Sequence, residues 1–123
     1  MDTNEHDTFI RQIIGAAYEV SNSLGCGFLE KVYERAMTRE LTLRGLQVRS
    51  QVRYTIEYKG HAAGDYIADL VVADQILVEL KCVEAFSKEH LAVCLNYLRA
   101  SQLRFALLIN FQKPKVEWKR IIL

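Results

Sequence analysis

Over residues 9–24 apolar side chains return every three or four positions, at Phe9, Ile10, Ile13, Ile14, Ala17, Val20 and Leu24, which is the stripe of an amphipathic helix. Gly25-Cys26-Gly27 ends it. The same period predicts a second helix over residues 28–44, with Leu29, Val32, Tyr33, Ala36, Met37, Leu41 and, at the margin of the stripe, Leu43 turned inward, and Gly45 as its C-terminal cap. From Val48 to Tyr58 the period falls to two. Val48, Val52, Tyr54, Ile56 and Tyr58 share one face, and Arg49, Gln51, Arg53, Thr55 and Glu57 the other, so a half-exposed strand is expected. After the Lys59-Gly60-His61 turn, residues 63–72 and 76–82 read as more buried strands.

Ser87 is a good N-cap for a third helix reaching Ser101, with Leu91, Cys94, Leu95 and Leu98 inward. Residues 105–109, Phe-Ala-Leu-Leu-Ile, form a continuous apolar run suited to a strand covered on both faces. Pro114 lies in the loop before a last strand over residues 116–122. The predicted order is α-α-β-β-β-α-β-β, an α/β arrangement of helices on a mixed α+β sheet, with no repeat and no low-complexity linker.

Charge inside the two central strands changes the picture, because apolar strands do not bury carboxylates without reason. Asp69 interrupts one strand and Glu79-Leu80-Lys81 ends the next. Two carboxylates are hard oxygen donors of the kind Mg²⁺ takes, with water and substrate phosphate filling the remaining positions. Lys81, two residues beyond Glu79 and on the same strand face, can orient an attacking water or add positive charge. Asp69 and Glu79 share a face of an antiparallel hairpin only if the residue numbers of paired positions have an even sum. With Asp69 opposite Glu79, Val72 pairs with Ile76 and the loop is Ala73-Asp74-Gln75. A two-residue Asp74-Gln75 turn would split the set across two faces, so the three-residue loop or a compensating bulge is predicted. Spacing alone leaves open a structural ion pair of Asp69 with Lys81 beside a solvated Glu79.

Glu30 and Tyr33, three apart on the second helix, are also open to two readings. Glu30 in the first turn complements the helix dipole and Tyr33 packs in the core; or Glu30 reaches the sheet end as a third carboxylate.

At 123 residues the chain fits one domain, residues 1–123, so a specificity module would be a loop, a dimer mate or a separate protein. Sixteen Lys and Arg against fifteen Asp and Glu leave a net charge of +1, so any nucleic-acid binding must be local. Candidates are Arg35 and Arg39 on the second helix, and Lys115, Trp118 and Lys119 in a basic, aromatic-bearing C-terminal segment; water-facing surfaces explain both sets as well. The acidic start and the lack of any stretch near the roughly 20 apolar residues of a membrane helix point to a cytoplasmic protein with no membrane partner. Cys26, Cys82 and Cys94 are odd in number and without C-x-x-C spacing, which predicts reduced, buried thiols.

Gly27-x-x-Glu30-x-x-Tyr33, Asp69, Val78-Glu79-Leu80-Lys81, Leu95-Asn96-Tyr97-Leu98 and Leu107-Leu108-Ile109-Asn110-Phe111 occur in that order, after Ile14-Gly15-Ala16-Ala17. Together they resemble the GxxExxY protein family of the PD-(D/E)xK nuclease superfamily. The resemblance implies an α-β-β-β-α-β core, with Glu30 on the helix, Asp69 on the second strand and Glu79 and Lys81 on the third. It implies Glu30, Asp69, Glu79 and Lys81 as catalytic residues. Asp69, Glu79 and the Leu80 carbonyl would bind Mg²⁺ or Mn²⁺, with Glu30 reaching it through water. Tyr33 and His90, which lies in a recognisable block, are second-rank candidates. In two places the chain departs from the family pattern. Val93 stands where relatives carry glutamine in the block His90-Leu91-Ala92-Val93, and Ser21 follows Glu19-Val20 where relatives often carry histidine. The expected function is metal-dependent hydrolysis of DNA or RNA. The alternative is a catalytically weakened module that binds nucleic acid or a protein partner, as a homodimer or with a separate specificity partner.

Overall fold

The computed structural model describes residues 3–123; Met1 and Asp2, where the acidic start begins, lie outside the described residues. The elements are α1 (Thr3–Leu24), α2 (Glu30–Leu43), β1 (Val48–Tyr58), β2 (His61–Val72), β3 (Ile76–Lys81), α3 (Lys88–Ser101), β4 (Phe105–Asn110) and β5 (Glu117–Ile122), in the predicted order. Helix α1 starts before its apolar stripe does. Its polar first turns are held by contacts that periodicity does not register: the His6 ring lies 4.2 Å from that of Phe105, and Asp7 pairs with Arg120 at 3.5 Å.

The five strands lie in sequence order, all antiparallel except β3–β4, which run parallel with α3 as the crossover. Strand β4 is buried at every position, as its unbroken apolar run requires. On one face Leu70, Val72, Ile76, Val78, Leu80, Leu107 and Ile109 pack with α1 and α2 through Ile13, Ala17, Tyr33, Met37 and Leu41. On the other, Val71, Leu77, Ala106 and Leu108 pack with Cys94 and Leu98 of α3. The sheet is thus a middle layer between two helical ones.

Several sequence expectations need correction. Leu29, Val32 and Leu43 were expected inward but are exposed, Leu29 at 81%. The reason is that α2 begins only at Glu30 and meets the core by the narrow line Tyr33, Met37, Leu41, which admits the carboxylate of Glu34 and not Val32. Cys26 is exposed and Cys82 only half-buried, whereas Cys94 is buried; all three are free thiols. Cys26 sits in the turn between α1 and α2, where Gly25 (φ 75°) and Gly27 (φ 108°) take left-handed conformations that carry it away from the core. Strand β1 does not keep one apolar face either. Val48 packs with the α1/α2 cluster, while Val52 and Tyr54 pack with the α3 cluster.

The β2–β3 hairpin has the even register. Leu70 pairs with Val78, Val71 with Leu77 and Val72 with Ile76, leaving the three-residue loop Ala73-Asp74-Gln75. Ala73 (φ 55°) and Asp74 (φ 54°) make the reversal in left-handed conformations, and the Gln75 N–H returns to the Val72 carbonyl at 3.0 Å.

Candidate active site

The β2–β3 ladder stops at Leu70 and Val78, although β2 continues along β1 and β3 continues along β4. The two strands part there, and Asp69 and Glu79 stand at the opening. Their side chains take over from the backbone. The Asp69 N–H donates to Glu79 Oε2 at 2.7 Å, and the Leu80 N–H donates to Asp69 Oδ2 at 2.8 Å. Each carboxylate thereby stabilises a backbone donor that the ladder has left behind.

These bonds do not compensate the burial of charge. Glu79 is 5% exposed, and burial, followed by the nearby Asp69 carboxylate, pushes its pKa up to about 8, against the Asp69 N–H and Lys81, which pull it down. Asp69 is raised by burial as well, with Glu34 and Glu30 adding to the rise and the Leu80 N–H and Lys81 opposing it. The pair therefore has an unmet demand for positive charge. Lys81, two residues along from Glu79, supplies only part of it. Among the described residues it joins no ion pair within 4 Å, so the structural Asp69–Lys81 pair is not formed.

Glu30 opens α2 and is exposed; its Oε2 accepts the Cys82 N–H at 3.2 Å, just beyond the end of β3. That bond brings the helix start to the same end of the sheet as Lys81 and within electrostatic reach of both carboxylates. It does not make Glu30 a third close ligand: among the described residues no three His, Cys, Asp or Glu side chains converge closely enough to hold an ion by themselves. Tyr33 is fully buried, stacked on Phe111 at 4.5 Å, and its hydroxyl donates to the Gly25 carbonyl at 2.6 Å and accepts the Phe28 N–H at 3.3 Å. It ties down the turn that delivers Glu30 and is kept from the carboxylates by doing so.

His90 is engaged in the cap of α3. Its Nδ1 accepts the Ser87 N–H at 3.0 Å while its own N–H donates to Ser87 Oγ at 3.2 Å, a reciprocal capping box. Arg35 and Arg39 are exposed on α2, Arg39 beside a shallow cleft with Glu19 and Glu40. Lys115, Trp118 and Lys119 are exposed as well, but strand alternation divides them. Arg120, two residues after Trp118, reaches Asp7 of α1, and Ile121, two after Lys119, packs toward α3, so Trp118 and Lys119 face opposite sides of β5. Val93, where a polar residue was expected, is an exposed apolar side chain on α3.

Four residues not chosen from sequence belong to the surroundings of this site. Glu34, one turn after Glu30 and on the same side of α2, is 7% exposed and accepts from Lys31 at 3.1 Å and from Gln51 at 2.7 Å. The Glu30-x-x-x-Glu34 spacing was its signal. Asn110, paired with Lys81 across β3–β4, is fully buried and clamps the segment after β3: its Nδ2 donates to the Val83 carbonyl at 2.7 Å and its Oδ1 accepts the Val83 N–H at 3.1 Å. Tyr97 of α3 has its pKa pushed up to about 12 by burial and then by the charges of Glu79 and Asp69. Nothing in the sequence distinguishes the fourth, Gln51, from its outward-facing neighbours.

The family model of the PD-(D/E)XK nuclease superfamily matches residues 7–121. Among solved structures the chain is similar to the one titled "Crystal structure of SSO0001", at 15% identity and a TM-score of 0.57, over 75% of this chain and 48% of that one. The chain thus spans about half the length of that protein, and the likeness shows a shared fold. No curated protein matches the sequence.

Proposed function

The chain belongs to the PD-(D/E)XK nuclease superfamily, and from that premise we propose that it is a divalent-metal-dependent nuclease hydrolysing phosphodiester bonds of DNA or RNA. The observation that carries this reading is the opening of the β2–β3 ladder, where the buried Glu79 and the half-buried Asp69 carboxylates lie side by side, with Lys81 two residues beyond Glu79 and in no ion pair among the described residues.

The residues present fit a hard cation. Asp69 and Glu79 would supply two oxygen donors, the Leu80 carbonyl a third, and Glu30 would contribute through water, the remaining positions going to water and substrate phosphate as Mg²⁺ and Mn²⁺ prefer. The misfit of two desolvated carboxylates, Glu79 buried and Asp69 half-buried, favours such an ion over an empty pair. When bound, Mg²⁺ or Mn²⁺ lowers the pKa of a water and offsets charge on the phosphate oxygens. Lys81 adds a positive charge on the same strand face as Glu79 and holds the attacking water by donating to it. Glu30, fixed by the Cys82 N–H, accepts a hydrogen bond from water entering between α2 and the end of β3. Asn110 keeps the segment after Lys81 from swinging across the opening. Arg35, Arg39, Lys115, Trp118 and Lys119 remain candidates for contact with the nucleic acid.

The test is cleavage of mixed single- and double-stranded DNA and RNA with Mg²⁺, with Mn²⁺ and with chelator, by wild type and by Lys81→Ala. Metal-dependent cleavage by the wild type alone supports the reading. Equal cleavage by both proteins means a contaminant. Salt-sensitive binding without cleavage and without a calorimetric metal signal favours the weakened binding module, for which the exposed Val93 is the specific observation.

A further inference from the structure

Gln51 lies inside β1 with φ 53°, in the left-handed region that strand residues other than glycine and asparagine rarely enter. Its ladder partner would be Asp69. Ser50–Leu70 and Val52–Ala68 are both paired on one unbroken register, and the pair between them is missing. The sheet changes face at this position: Val48, Leu70 and Val72 pack toward α1 and α2, whereas Val52, Tyr54 and Ala68 pack toward α3, although all six carry even numbers. Since no residue is inserted there, a peptide turned over at Gln51 accounts for the change. Asp69, sitting at the changeover, sends its carboxylate between β2 and β3 to the Leu80 N–H. The Gln51 side chain reaches α2, where its Nε2 donates to Glu34 Oε1 at 2.7 Å while Lys31 balances the other Glu34 oxygen at 3.1 Å.

We infer that Gln51 is a positioning residue whose left-handed backbone turns the Asp69 carboxylate out of the strand alternation and into the opening of the β2–β3 ladder. As a statement about metal and phosphate binding this rests on the proposed function; as a statement about the backbone it does not.

Three substitutions separate backbone conformation from side chain. Glycine and asparagine are at ease in the left-handed region, and valine is not. In metal-free protein, amide hydrogen exchange followed by NMR should show the Asp69 and Leu80 amides protected in wild type, Gln51→Gly and Gln51→Asn, and exchanging at least about tenfold faster in Gln51→Val, with the β4 amides unchanged. Calorimetric titration with Mn²⁺ should give affinities within about threefold of wild type for the glycine and asparagine variants and at least about tenfold weaker for valine. If Gln51→Val does not fold, the β-branched Gln51→Thr takes its place with the same expectation. Protection and affinity in the valine variant equal to wild type overturn the inference, as does equal damage by glycine. Absence of a wild-type Mn²⁺ signal, with protection still lost only in the valine variant, overturns the proposed function and leaves the positioning role intact.

Discussion

Asp69 and Glu79 exchange roles with the backbone they interrupt. Glu79 accepts the N–H of Asp69, and Asp69 accepts the N–H of the residue after Glu79, so the two side chains cross-link β2 and β3 where their backbone pairing has ended. Both acids are thereby held at one height on facing strands, by bonds shorter and more rigid than side-chain packing would provide.

Rising pH should destabilise the metal-free protein. The native pKa of Glu79, about 8, lies above the ordinary 4.5, so the folded state binds the proton more tightly and the group's contribution, complete below pH 4.5, is lost as pH rises toward 8. The loss is on the order of 3–5 kcal/mol for this residue. Thermal melting in chelator should show Tm falling from pH 5 to pH 8, a fall that Glu79→Gln reduces and that Mg²⁺ at pH 8 reverses. Metal affinity, for the same reason, should weaken on acidification.

Asp69→Asn should separate folding from binding. Its amide oxygen can still accept the Leu80 N–H, and a half-buried charge with a raised pKa is removed. Unfolding at pH 8 should find stability equal to wild type or higher by about 1–2 kcal/mol. Calorimetry should find Mn²⁺ affinity reduced at least about tenfold.

Tyr33→Phe retains the stack on Phe111 but leaves the Gly25 carbonyl and the Phe28 N–H without their partner. The expected cost is about 1–2 kcal/mol, with faster amide exchange over residues 25–29. A turnover number within a few-fold of wild type would match its place away from the carboxylates, whereas a thousandfold loss would put the hydroxyl in the chemistry.

Asn110→Leu should be the costliest of these changes. Four hydrogen bonds of a fully buried side chain are lost, to both backbone groups of Val83, to the Gln112 N–H and to Glu117. Chemical denaturation should report a loss of about 2–4 kcal/mol. His90→Ala, by contrast, removes one side of the α3 cap, and should cost about 1 kcal/mol with cleavage unchanged.

What the sequence disclosed follows from which physical effects leave a periodic trace. The order of elements and the buried β4 come from hydrophobic spacing, and the hairpin register follows from a single parity condition on Asp69 and Glu79. The turned peptide at Gln51 leaves no such trace, because φ is a backbone choice that the alternation of β1 neither requires nor forbids. The Glu30-x-x-x-Glu34 spacing places Glu34 on the side of Glu30, but its burial depends on Lys31 and Gln51 arriving together, which no window on α2 contains. Exposure of Leu29 and Cys26 reflects where α2 starts, the boundary that propensity resolves least well.

Strand β1 is an edge strand of eleven residues, long enough to offer an unpaired row of donors and acceptors to another chain. The left-handed Gln51, fourth in the strand, interrupts that row, and Arg49 and Arg53 flank the interruption. A foreign strand could not zip along it without meeting a break. The kink at Gln51 therefore also guards the protein against edge-to-edge aggregation, and straightening it with a β-former such as valine would create a sticky edge along with a misdirected acid.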